Sequence, residues 1–113
     1  MEAGTVLMVD YHPEVLHISA VALARRSYRT LTALSGEIAL DVLAAKGPVD
    51  LVLTEVLLPG GLSGVALAGK IQERYPETAV VLMTGYTEEK LDPEIPLLRK
   101  PFTPSMLKAA PCC

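Results

Sequence analysis

The fold is decided by residues 49–68, VDLVLTEVLLPGGLSGVALA. Residues 49–55 have an aliphatic centre, Leu51 to Leu53, and end on the acid Glu55, which is typical of a buried strand. Residues 58–61 then form a loop that needs the conformational freedom of glycine. Ser63 is a good N-cap for a helix that continues through Arg74. A buried strand followed by such a helix is typical of a parallel sheet with crossover helices.

The rest of the chain repeats this alternation between short aliphatic runs and segments with helical periodicity. The predicted strands cover residues 5–10, 28–33, 49–55, 79–83 and 95–98. The first predicted helix begins at Pro13 and ends near Arg25 and Arg26, and the second covers residues 36–46 after the N-cap Ser35. We predict a single domain over residues 1–113, of α/β class, with a doubly wound five-stranded parallel sheet.

The first two helices each carry a set of apolar residues that we expect to face the core. In the first helix these are Val15, Leu16, Ile18, Val21, Ala22 and Leu23, and in the second they are Ile38, Leu40, Val42 and Leu43.

Composition and charge exclude several classes of function. Half of the 113 residues are hydrophobic and 20% are charged, as in a globular domain. The net charge of -3 and the pI near 5.3 provide no basic surface for nucleic acid or an anionic membrane. The adjacent Cys112 and Cys113 form neither a disulfide framework nor a metal-ligand pattern, which favours a reducing cytoplasm. We also see no signal peptide and no run of about 20 apolar residues, so we expect a cytoplasmic protein that does not span a membrane.

Chemically useful residues follow four of the predicted strands. Asp10, Glu55, Thr84 and Lys100 all fall at carboxyl ends, where open α/β sheets bind their ligands. Acids, a hydroxyl and an ammonium around one crevice suit phosphoryl transfer to a carboxylate, in which a divalent cation and a lysine neutralise the oxyanions. Each residue also has a structural alternative: Asp10 as a helix cap, Glu55 as an exposed acid, Thr84 as a strand-end hydroxyl and Lys100 as a solvated surface lysine.

The chain resembles the response-regulator receiver domain of two-component signalling over nearly its full length. The resemblance is carried by residues 49–68 together with VLMVDYHPEVL (6–16), SGEIALDVL (35–43), VVLMTGY (80–86) and LLRKPF (97–102). It implies a flavodoxin-like sheet with strand order 2-1-3-4-5, as in chemotaxis-type receivers. LLPGGLSG (57–64) and LLRKPF are most similar to receivers at the carboxyl end of hybrid sensor histidine kinases.

The resemblance also assigns roles to individual residues. In this family an acid pair after strand one binds Mg²⁺, and Asp10 keeps one of its positions. The acid after strand three accepts the phosphoryl group, and Glu55 occupies that position. Thr84 and Lys100 match the threonine and lysine that contact the phosphoryl group, and the bond to Pro101 is expected to be cis.

Two departures from the family pattern put this chemistry in doubt. Glu55 is one methylene longer than the expected aspartate, and misplacement of about 1 Å can cost roughly 100-fold in rate. Tyr11 replaces the second metal-binding acid with a neutral phenol, so we expect at most weak Mg²⁺ binding. The resulting hypothesis is a receiver that is not conventionally phosphorylated, with Glu55 within salt-bridge reach of Lys100 as an imperfect mimic of a charged acceptor.

The output side also departs from the family pattern. Only 16 positions separate Thr84 from Lys100, and Pro93 and Pro96 interrupt any long helix between them. We therefore expect a shortened fourth helix and, because of Pro111, a shortened fifth helix. The face formed by the fourth helix, fifth strand and fifth helix is then a candidate surface for a homodimer. Other expected partners are a histidine kinase or phosphotransfer protein, or a downstream signalling protein.

Two alternatives remain open at the level of sequence. One is a phosphorylatable receiver with a weakened magnesium site. The other is a small flavodoxin-like enzyme that binds a nucleotide or flavin, although neither G-x-G-x-x-G nor G-x-x-x-x-G-K-[ST] occurs. We expect no turnover enzyme, and we expect His12 and His17 to be solvated or helix-face residues and not ligands.

Overall fold

The computed structural model describes residues 4–47, 49–84 and 97–99, and within these ranges it shows alternating strands and helices. In chain order the elements are β1 (Gly4–Val9), α1 (Pro13–Ala24), β2 (Tyr28–Ala33), α2 (Gly36–Lys46), β3 (Leu51–Glu55), α3 (Gly64–Arg74), β4 (Ala79–Thr84) and β5 (Leu97–Arg99). The bounds of β2 and α2 and the end of α3 are those predicted from the sequence. β3 begins two residues later than predicted. Just before it, the Asp50 carboxylate accepts a hydrogen bond from the Thr5 N–H at 2.7 Å, and the Asp50 N–H donates one to the Thr5 carbonyl at 3.0 Å.

The strands form a parallel sheet. The order β2-β1-β3-β4 confirms that part of the predicted topology and places β2 at an edge. Val9 is in register with Ala33 on one side and with Thr54 on the other, and Glu55 is in register with Met83. Beyond β4, the short β5 pairs in parallel through Leu82 and Leu97.

An aliphatic core lies on each face of the sheet, as a doubly wound fold requires. Alternate residues of β1 point to opposite faces, so that Val6 and Met8 join one core while Leu7 and Val9 join the other. The first core includes Leu16 and Leu23 from α1. The second receives α2 and α3 and includes Leu43, Leu67 and Ile71.

The helix starts follow the local capping signals. The Ser35 Oγ accepts a hydrogen bond from the Ile38 N–H at 3.1 Å, and the Ser63 Oγ accepts one from the Ala66 N–H at 3.1 Å. These contacts confirm both predicted N-caps, which satisfy backbone donors that have no partner within the helix.

The predicted apolar faces of α1 and α2 are too broad. Ile18 is 67% exposed, Val21 is 40% exposed and Ile38 is 45% exposed, so these three predictions of core residues were wrong. In α2 the buried residues are Leu43, as predicted, together with Gly36 and Ala39. Two small residues allow α2 to lie close to its neighbours, which leaves only a narrow stripe of the helix against the core.

Gly64 has the closest backbone approach of any glycine in the described part of the chain. A Cβ atom at this position would overlap the carbonyl oxygen of Glu55, and it would lie 3.0 Å from the Cα of Val56. The Gly64 N–H donates a hydrogen bond to the Val56 carbonyl at 2.9 Å. Glycine at the start of α3 therefore lets the helix meet the end of β3 directly.

We expect Gly64→Ala to destabilise the domain by about 1–3 kcal/mol, because the added methyl group meets backbone atoms and not a flexible side chain. Gly69→Ala is the matched control, since it adds the same methyl group in the same helix where nothing lies within 4 Å. The control should stabilise the domain by about 0.5–1 kcal/mol through helix propensity. Urea unfolding measures both values, and equal effects at the two positions would contradict the close-approach argument.

Candidate functional site

Asp10 and Glu55 lie at the carboxyl ends of the adjacent strands β1 and β3. The register pairs Val9 with Thr54, so that the next residue of each strand is one of the two acids. Strands in a sheet are about 4.8 Å apart, which makes these residues close neighbours. Asp10 is fully buried, and Glu55 is only 7% exposed. The sheet therefore places two carboxyl groups together where open α/β folds bind ligands.

The burial of Glu55 rules out its alternative role as a simple exposed acid. Its backbone is held on both sides, because Glu55 is in register with Met83 of β4 and its carbonyl faces the start of α3. The Val56 N–H donates to the Met83 carbonyl at 3.0 Å and fixes the end of the strand.

Thr84 reaches the same edge of the sheet through its backbone. It follows Met83, the register partner of Glu55, and it ends β4. The other two predicted site residues, Lys100 and Pro101, lie outside the described residues. The roles of Lys100 and Pro101, and the expected salt bridge between Glu55 and Lys100, therefore stay predictions.

The Asp10 carboxylate is held by His12. Its Oδ1 atom accepts a hydrogen bond from the His12 backbone N–H at 3.0 Å and lies 3.2 Å from the imidazole Nδ1. The N-cap position of α1 belongs to His12, so Asp10 is not the N-cap of that helix. His12 was expected to be a solvated residue, and its contact with Asp10 was missed. Aspartate commonly bonds the backbone two residues ahead, so the Asp-x-His spacing was the available signal.

Tyr11 follows Asp10 in the loop after β1. Its side chain is 45% exposed, and its ring lies against the imidazole of His12 with centroids 4.0 Å apart. Together with Leu57, Leu58 and Pro59 it lines an open cavity of about 260 Å³. The lining of this cavity is therefore mostly apolar.

The described residues do not fit a strong magnesium site. Mg²⁺ favours near-octahedral oxygen coordination with carboxylate help. In the described part of the chain, no group of three or more His, Cys, Asp or Glu side chains is arranged to hold a metal ion. Tyr11 stands where a second carboxylate was expected, and Asp10 Oδ1 already faces the backbone N–H and the imidazole Nδ1 of His12. The carboxylates that the described residues bring to this edge of the sheet are Asp10 and Glu55.

The comparison of the chain with known families decides its membership. The profile of the response regulator receiver domain matches residues 6–110. The chain belongs to this family. It is therefore a receiver of two-component signal transduction, as the sequence motifs predicted.

Its relatives include complete regulators and a kinase. The response regulator protein PilR of Pseudomonas aeruginosa is 36% identical over 86 residues, which cover 76% of this chain and 19% of PilR. The sensor kinase CckA of Brucella abortus is 29% identical over 108 residues, which cover 89% of this chain and 11% of CckA. The receiver thus spans less than a fifth of the length of either relative.

Solved structures agree with the fold. The signal receiver domain of an HD domain-containing protein from Pseudomonas fluorescens superposes with a TM-score of 0.82 at 30% identity, covering 93% of this chain and 88% of that one. The response regulator TrrA from Thermotoga maritima, solved in complex with Mg²⁺ and BeF, has a TM-score of 0.81 at 28% identity, covering 96% and 95% of the two chains.

Restoring an acid at position 11 should strengthen cation binding. We expect Tyr11→Asp to bind Mg²⁺ on the order of tenfold more tightly than the wild type, because a second carboxylate adds favourable charge at the site. Tyr11→Asn is the control, since it removes the ring without adding charge, and it should give no comparable gain. Isothermal titration calorimetry with Mg²⁺ measures both. An equal gain in both variants would show that the ring, and not the missing charge, limits binding.

Proposed function

We propose that this receiver is not phosphorylated in the conventional way and that it acts through protein–protein interactions. The observation that carries the proposal is the position of Glu55, a buried side chain at the acceptor position whose backbone is fixed by β4 and α3. Position 55 provides a permanent carboxylate where the family provides a modifiable one.

The fixed backbone matters because the additional methylene of Glu55 adds about 1.5 Å to the side chain. The Val56 N–H to Met83 carbonyl bond and the Gly64 N–H to Val56 carbonyl bond oppose any withdrawal of the strand end. The extra length must therefore be taken up on the side of the site where the phosphoryl group would bind. A displacement of about this size is enough to reduce a transfer rate by roughly 100-fold.

Intact mass spectrometry tests this proposal directly. After incubation with a small-molecule phosphodonor and Mg²⁺, we expect Glu55→Asp to gain one labile phosphoryl group and the wild type to gain none, because only the shorter side chain restores the acceptor geometry. Glu55→Gln, which keeps the length but removes the charge, is the negative control. A phosphoryl group on the wild type would overturn the proposal.

We further propose that Glu55 imitates a charged acceptor by pairing with Lys100, the lysine that follows β5. A buried carboxylate is costly unless it has a cationic or hydrogen-bonding partner. The family pattern puts a lysine at this position, so the pair is the natural candidate for holding the site in one state.

A double-mutant cycle between Glu55→Gln and Lys100→Met measures this pairing. We expect a coupling free energy of about 1–3 kcal/mol, since each single change leaves the other group without its opposite charge. The cycle is read from urea unfolding at neutral pH. The same cycle with Lys70, an exposed residue on α3, is the control and should give no coupling. A coupling free energy below about 0.5 kcal/mol between positions 55 and 100 would show that Glu55 does not imitate a charged acceptor by pairing with Lys100.

The output surface and the partners follow from the family. We infer that the chain completes a five-stranded sheet of order 2-1-3-4-5 with shortened fourth and fifth helices, as a single domain in the cytoplasm. Its partner is a histidine kinase, a phosphotransfer protein or a downstream signalling protein. The similarity to the sensor kinase CckA favours a receiver that is fused to a kinase. A homodimer through the fourth-helix, fifth-strand and fifth-helix face stays a prediction.

Among the described residues, none of the helices has the length and apolar character of a membrane span.

The second candidate function is a phosphorylatable receiver with a weakened magnesium site. It is favoured by the retained Asp10 and by the similarity to TrrA, which was solved with Mg²⁺ and BeF. The family match makes the alternative of a nucleotide- or flavin-binding enzyme much weaker, because the matched family is a signalling module.

A further inference from the structure

The contact between His12 and Asp10 is a second departure at the metal position, additional to the loss of an acid at residue 11. The same oxygen, Asp10 Oδ1, is 3.0 Å from the His12 backbone nitrogen and 3.2 Å from the imidazole Nδ1. Asp10 is fully buried, whereas the side chain of His12 is 48% exposed. The imidazole therefore reaches from the solvent side onto a buried carboxylate.

The chemistry of this contact has a definite direction. An ionised carboxylate is only an acceptor, so the ring nitrogen that faces it must carry the hydrogen and donate. The backbone N–H is a second donor to the same atom, and a carboxylate oxygen offers two in-plane lone pairs. A cation that binds Oδ1 must displace the imidazole, because the backbone donor cannot be withdrawn without moving the chain.

The ring of Tyr11 helps to hold the imidazole. The two ring centroids are 4.0 Å apart with a 37° angle between the planes, a geometry in the range of favourable aromatic pairs. Tyr11, which replaces the second acid, therefore also packs against His12, the residue that contacts the first acid, Asp10.

We propose that His12 is an internal competitor of the divalent cation, with its Nδ1–H holding Asp10 Oδ1 in the place of a metal contact. This inference rests on the proposed function, since it concerns the same degenerate site. It adds a residue, His12, that limits cation binding by a mechanism independent of the charge lost at position 11. His12 is a positioning residue in this scheme and takes no part in transfer.

The test is a Mg²⁺ titration of His12→Phe, followed by the amide chemical shifts of Asp10 and Glu55. Phenylalanine keeps a ring for Tyr11 to contact and removes the donor, and the backbone N–H of residue 12 is unchanged. We expect Mg²⁺ affinity to rise about tenfold, the value of one hydrogen bond to a charged group. His17→Phe, the same substitution at an exposed position within α1, should leave the affinity unchanged.

The same comparison is repeated in the Tyr11→Asp background, where cation binding is expected to be tighter. His12→Ala is used there, because the aromatic contact is already absent. An unchanged affinity in that background would overturn the proposal, and a weaker affinity would overturn it by showing that the imidazole is itself a ligand. Far-UV circular dichroism confirms that each variant is folded. Phosphorylation of the wild type at Glu55 would contradict the proposed function, whereas only the Mg²⁺ affinities decide the role of His12.

Discussion

The direct backbone contact between the start of α3 and the end of β3 is the constraint on which the site depends. It is possible because Gly64 has no Cβ atom to collide with the Glu55 carbonyl, and it is secured by the Gly64 N–H to Val56 carbonyl bond. The Val56 N–H bond to Met83 extends the restraint to β4. With the backbone held by two neighbours, the reach of the side chain at position 55 depends on its own length. Under the proposed function, the single additional methylene of Glu55 is what separates this site from a conventional acceptor.

Electrostatics explain why this site is specialised. Two carboxyl groups are buried at adjacent strand ends, and burying charge is costly unless opposite charge or hydrogen bonds compensate. The similar receiver TrrA was solved with Mg²⁺ and BeF. In this chain the described surroundings of Asp10 include hydrogen-bond donors from His12, with the ring of Tyr11 packed against the imidazole. These contacts of His12 hold the Asp10 carboxylate in place, whereas the family pattern assigns the neutralisation of the phosphoryl oxygens to a divalent cation and a lysine.

Much of the fold was predictable because its signals are local. The bounds of β2 and α2 and the caps Ser35 and Ser63 follow from alternation, glycine and serine within a few residues. The exposure of Ile18, Val21 and Ile38 was not predictable in this way. A helical period shows which residues share a face, whereas the width of the buried stripe depends on how closely the helix lies on the sheet, and Gly36 and Ala39 set that distance for α2.

The candidate site shows the same division. The order of residues alone established that acids follow the first and third strands, that position 55 carries glutamate and that position 11 carries tyrosine, because these are facts of local pattern. Only the packed structure established that both acids are buried, that Gly64 closes on the Glu55 backbone and that His12 turns back onto Asp10. These features depend on the register between strands and on the approach of a helix from elsewhere in the chain, and no local pattern encodes such distances.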